Sequence, residues 1–120
     1  MTRSEITVNE CDGTFNAAET ADTIDKGNDH VIAAGSNFEK MILAFHLSAA
    51  TADDTITIVA GTAEPAFRRD LGDLVYTCSG GAAEVVLGPI ETARFLQADG
   101  TIHIDVAGST IAGTIEAYSL

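Results

Sequence analysis

The chain has 120 residues, with 18 Asp and Glu against 6 Lys and Arg, a formal net charge of −12, and 46% hydrophobic residues. That charge repels a phosphate backbone or an anionic lipid surface, so no nucleic-acid and no membrane partner is expected. The apolar share is too high for a disordered chain, residues 1–120 suit a single domain, and the longest unbroken apolar stretch, Met41 to Phe45, is far short of a membrane span.

Met1–Glu10 lacks the continuous apolar core of a signal peptide, which reads as a protein made in a cytosol or packaged from one. Ile6 and Val8 alternate with polar residues, so this segment reads as the first strand of its own sheet; an arm pairing with a neighbour's sheet edge is the alternative. Asp12-Gly13 and Lys26-Gly27-Asn28 supply turns, Ala17 to Ala21 reads as one helical turn, and Thr23/Ile24 and Val31/Ile32 read as short strands.

From Met41 onward the period is two. Met41, Leu43, Phe45 and Leu47 share one face, with Ile42, Ala44 and His46 on the other. Ile56 and Ile58 alternate with threonines, and Leu74, Tyr76 and Cys78 with Val75 and Thr77. Further strands are expected over 83–87, 91–97, 101–106 and from Ile111 to Glu116. The turn signals between them are Gly80-Gly81, Gly88-Pro89, Asp99-Gly100 and Gly108-Ser109, with Gly88-Pro89 read as a break between two strands. The stretch 61–72 reads as the longest irregular connection. About eight or nine short strands at this spacing give an all-β fold, an antiparallel β-sandwich with a jelly roll as one form of it.

The chemistry-bearing residues are few. Cys11 and Cys78, widely spaced, read as two separate thiols, with a Cys11–Cys78 bridge as the alternative. His30, His46 and His103 read as surface or half-buried histidines, because no GxSxG elbow or Cys-His signature accompanies them; no enzymatic activity is expected. Asp22, Asp25, Asn28 and Asp29 form a hard-oxygen cluster that calcium could use, but the spacing is not an EF-hand and the cluster reads as a solvated acidic turn. No metal and no cofactor is expected. Asp53-Asp54 reads as a polar turn. Phe67, Arg68 and Arg69 in the long connection, and Arg94 beside Phe95, are the candidate interface residues, because Arg with an aromatic is a common contact anchor.

The scarcity of lysine, with abundant Ala and Thr, resembles proteins from salt-loving organisms, whose carboxylates hold water and keep the chain dispersed. A second resemblance lies in the C-terminal half. Val59-Ala-Gly-Thr-Ala-Glu-Pro-Ala-Phe-Arg-Arg-Asp-Leu-Gly-Asp-Leu74, then Leu87-Gly-Pro-Ile-Glu-Thr-Ala-Arg-Phe-Leu-Gln-Ala-Asp-Gly-Thr-Ile-His-Ile-Asp105, and the closing Ile115-Glu-Ala-Tyr-Ser-Leu120 are similar to small β-rich proteins encoded near the capsid genes of tailed viruses of bacteria and archaea. Phe67-Arg68-Arg69 stands where those proteins more often carry a single basic residue between small ones.

This resemblance implies a structural virion protein, a head decoration or cement protein on the capsid exterior, made in the host cytoplasm. Its partners would be the major capsid protein and further copies of itself, with a trimer favoured. Three alternatives stay open: a turret, spike-base or tail-associated component; a cytosolic β-sandwich that binds a small ligand; and an enzyme.

Overall fold

The computed structural model describes residues 2–11, 20–33, 39–62 and 71–119. Among these are ten strands and a single helical turn. The strands are β1 (Ser4–Glu5), β2 (Val8–Glu10), β3 (Asp22–Thr23), β4 (His30–Ile32), β5 (Lys40–Ala49), β6 (Thr55–Ile58), β7 (Leu74–Thr77), β8 (Ala83–Glu91), β9 (Ile102–Ala107) and β10 (Ala112–Ser119), with α1 (Thr92–Phe95) between β8 and β9. They form an all-β sandwich. One sheet has the order β1-β4-β9-β6-β7; the other runs β2-β10-β5-β8, with β3 also paired to β10.

Alternation builds both sheets. In β5, Met41, Leu43, Phe45 and Leu47 are buried while Ile42, Ala44 and His46 are half-buried. In β6 and β9, Ile56, Ile58, Ile102, Ile104 and Val106 point into the same core, and Ile115 and Ala117 come from β10. Fully burying one such aliphatic side chain contributes about 1.5–3 kcal/mol, so the period-two pattern selects the inner face of each strand.

The pairing is mixed and not purely antiparallel. β1 lies parallel to β4 in one sheet, and β2 lies parallel to β10 in the other. The chain therefore crosses between sheets within its first ten residues. Ile6, 1% exposed, plugs the core at that crossing, and the Thr7 amide donates to Asp22 Oδ2 at 2.8 Å.

The structure departs from the sequence reading in three further places. The strand expected over 91–97 is replaced by α1, which drives Phe95 into the core at 1% exposure. Gly88-Pro89 does not break the chain: β8 runs through it to Glu91, with a register shift opposite Met41 and Leu43. β8 is an edge strand and Pro89 lies at that register shift, two settings in which a strand tolerates proline. Cys78 falls just beyond β7, buried, with its amide donating to Asp54 O at 2.7 Å; Cys11 is exposed, and both are free thiols. Gly80-Gly81 carries the chain from one sheet to the other, since β7 and β8 do not pair. The turn at Asp12-Gly13 and most of the helical turn expected at Ala17 to Ala21 lie outside the described residues.

Candidate functional site

The candidate interface residues divide. Phe67, Arg68 and Arg69 lie outside the described residues. Arg94 and Phe95 sit together on α1 beside an open recess of about 460 Å³ lined by Leu71, Leu74, Pro89 and Ile90 among others. The Arg94 guanidinium stacks over the Phe95 ring at 4.9 Å, and its Nη2 donates to Leu71 O at 3.3 Å and Gly72 O at 3.1 Å. Gly61 N donates to Arg94 O at 3.0 Å. Phe95 is thus packed into the core at 1% exposure, and Arg94 is a brace on the approach to β7.

The carboxylates of the acidic turn diverge. Asp22 accepts from the Thr7 amide; Asp25 accepts from Ser4 Oγ at 2.5 Å and from the Gly27 and Asn28 amides; Asp29 Oδ1 accepts from the Val106 amide at 2.9 Å. These bonds hold the Asp25 carboxyl down at about 2, Ser4 and Asn28 contributing most. Each acid ties a separate stretch of backbone. Among the described residues no group of three His, Cys, Asp or Glu side chains converges as a metal site.

His30 is completely buried, unlike the surface or half-buried placement expected. On β4 it shares the inward parity of Ile32, and its Nε2 accepts from the Asp25 amide at 2.8 Å. Burial lowers its pKa, against the opposing pull of the Ser4 main chain and of Asp25, Asp29 and Asp22. On β9, His103 Nε2 meets Thr101 Oγ1 at 3.2 Å, while Asp105 pairs with Arg3 at 2.6 Å. Asp54 is 5% exposed and accepts from the Thr51 amide and hydroxyl, closing the turn into β6.

One cluster was not apparent in the sequence. On the outward face of the second sheet, register sets Glu84 of β8, His46 of β5 and Thr114 of β10 in one row, with Val86, Ala44 and Glu116 in the next. Ile42 and Tyr118 are opposite one another further along. His46 Nδ1 is 3.3 Å from Glu84 Oε1, and Nε2 is 3.6 Å from Glu116 Oε2, which also accepts from the Tyr118 hydroxyl. The Glu84 hydrogen bond raises the His46 pKa, desolvation opposes it, and the Glu116 charge adds to the rise. The imidazole stands between carboxylates of the two flanking strands, which favour its protonated form. It lies beside an open depression of about 440 Å³ lined by His46, Leu47, Ser48, Ala82, Ala83 and Glu84. The only signal in the sequence was parity, which set His46 opposite the core face; its carboxylate partners are 38 and 70 positions away and depend on register.

Both outward faces mix polar and apolar residues. On the first sheet, Thr57 of β6 has Val75 and Asp105 beside it, Thr55 has Thr77 and Ala107, and Val31 faces His103. On the second sheet Ile42, Ala44 and Val86 stand among Glu84, His46, Thr114, Tyr118 and Glu116, the last only 8% exposed. Val86, at 66%, is the most exposed large hydrophobic among the described residues.

No protein-family model, no curated protein and no solved structure matches this chain.

Proposed function

We propose that the chain is a structural virion protein that binds the outer surface of a major capsid shell and stabilises it, as a head decoration or cement protein. The observation that carries this reading is the set of motifs in 59–74, 87–105 and 115–120 that resemble such proteins. The sandwich supports it as a folded scaffold whose described loops are mostly short. A net charge of −12 suits a surface turned to solvent and away from packaged nucleic acid.

The mechanism in this reading is passive. Copies of the chain, with a trimer favoured, each make modest contacts with neighbouring capsid subunits. Simultaneous engagement multiplies these affinities, so separating two capsid subunits requires breaking several contacts together. No bond is made or broken, and no cofactor takes part.

The test is to mix the purified protein with mature shells that lack it and to measure occupancy. Saturation at a fixed ratio to capsid subunits is expected. Absence of binding at both moderate and high salt would overturn the reading. Rings of five or six copies at vertices or along a tail would move the protein to a turret, spike-base or tail position.

A further inference from the structure

We propose that His30 is a pH-operated latch: as the neutral ring it holds β1 and the turn between β3 and β4 against the edge of the first sheet, and once protonated it lets that corner open while the rest of the sandwich stays folded. The device lies outside the decoration reading and does not depend on it.

The hydrogen bonds of the ring set its behaviour. His30 is fully buried, and the Asp25 amide donates to its Nε2 at 2.8 Å. The single proton of the neutral ring therefore sits on Nδ1, which has no hydrogen-bond partner among the described residues. The ring serves the fold only as an acceptor. Protonation puts a second N–H on Nε2, facing the Asp25 N–H. Turning the ring over restores nothing, because both nitrogens of an imidazolium are donors. The bond is lost, and the charge lies where burial disfavours it.

That bond secures the whole corner. Asp25 Oδ1 accepts from the Gly27 and Asn28 amides, and Ser4 Oγ donates to Asp25 Oδ2 at 2.5 Å. The Asp29 amide donates to Asp25 O, and the Ser4 amide to Asp29 O, both at 2.9 Å. β1 is thus tied to the turn through Asp25 and Asp29, and His30 holds the Asp25 amide. Ile6 and Ile32, each 1% exposed, anchor the chain on either side and limit how far the corner opens.

The charged groups around the ring come from four elements. Asp22 on β3 and Asp25 and Asp29 in the turn favour the cation, but desolvation outweighs them in the closed state. Arg3 Nη1 donates to His30 O at 3.2 Å and pairs with Asp105 of β9. Glu5 of β1 and His103 of β9 stand one position along, opposite Val31. Lys26 is engaged at Ser109 O. In the open corner the ring meets water beside the same three carboxylates, so it binds a proton more readily there and proton uptake drives the opening.

Amide hydrogen exchange of the full chain, followed by NMR from about pH 8 to about pH 5, tests the latch. Protection of the Ser4, Asp25 and Asp29 amides, corrected for intrinsic exchange, is expected to fall as pH drops below 6.5, by up to about tenfold per pH unit. The amides of β5, paired on both sides by β10 and β8, are expected to keep theirs. His30→Gln keeps an acceptor that cannot titrate, and is expected to make protection at the three amides independent of pH. A fall like that of wild type in His30→Gln would overturn the proposal, since another group would then be titrating. Equal losses in the corner and in β5, or no loss in wild type, would overturn it as well. The ring nitrogen shifts of wild-type His30 give a second test that needs no variant. They are expected to show the proton on Nδ1 at neutral pH, and a ring protonated on Nε2 instead would overturn the latch.

Discussion

His30 and His46 carry the same side chain into opposite surroundings, and their pKa values shift in opposite directions. His46 gains two carboxylate neighbours, so its folded pKa lies above the ordinary 6.5. Its contribution to stability is complete below 6.5 and is lost as pH rises through the raised value. His30 is buried, so its folded pKa lies below 6.5 and the unfolded chain binds its proton more readily. That contribution declines as pH falls below 6.5. An NMR titration is expected to show the His46 midpoint above that of His30, and Glu84→Gln is expected to lower the His46 midpoint alone. Coincident midpoints would refute both assignments. Asp25, held at about 2, adds a contribution that is present above the usual 3.8 and lost as pH falls from 3.8 toward 2. Parity told the sequence reading which way His46 faces, but the burial of His30 depends on β9 packing alongside β4, a pairing across more than seventy residues.

At the scale of elements, the strands that carry alternation were legible and the irregular links were not. β5, β6, β9 and β10 follow from period two because each buries one face. α1 could not be read in this way: four residues are about one turn, too short for a helical stripe to repeat. What holds it is tertiary, the Thr92 amide donating to Glu39 O at 3.3 Å and Phe95 filling the core. Phe95→Ala is therefore expected to cost about 3–5 kcal/mol in chemical denaturation, and a loss below about 1 kcal/mol would remove Phe95 from the core account. The register shift in β10 depends on Gly113 at φ +141, where a Cβ would collide with His46 O and crowd Leu47 Cα at 2.9 Å. Gly81, at φ +77, has open space around it. Gly113→Ala is expected to cost more than about 3 kcal/mol, strain and collision together, against about 1–2 kcal/mol for Gly81→Ala. Equal losses would show that crowding at the bulge has no weight.

At the scale of the whole molecule, 18 acids against 6 strong bases make the folded chain repel itself. Screening relieves that repulsion, because the Debye length falls from about 10 Å at about 0.1 M salt to about 3 Å at about 1 M. The melting temperature is therefore expected to rise with salt over that range, as suits a protein resembling those of salt-loving organisms. Equal melting temperatures in low and high salt would count against that resemblance.

By itself the sequence determined the all-β class, the faces of the main strands and the excess negative charge, because alternation and composition are local and need no knowledge of neighbours. Tertiary structure alone decided that the N-terminal strands lie parallel to β4 and β10, that Phe95 is internal, and that Glu84 and Glu116 flank His46. Those facts depend on which strands pair and in what register, and a shift of one residue would turn every side chain of a strand to the opposite face.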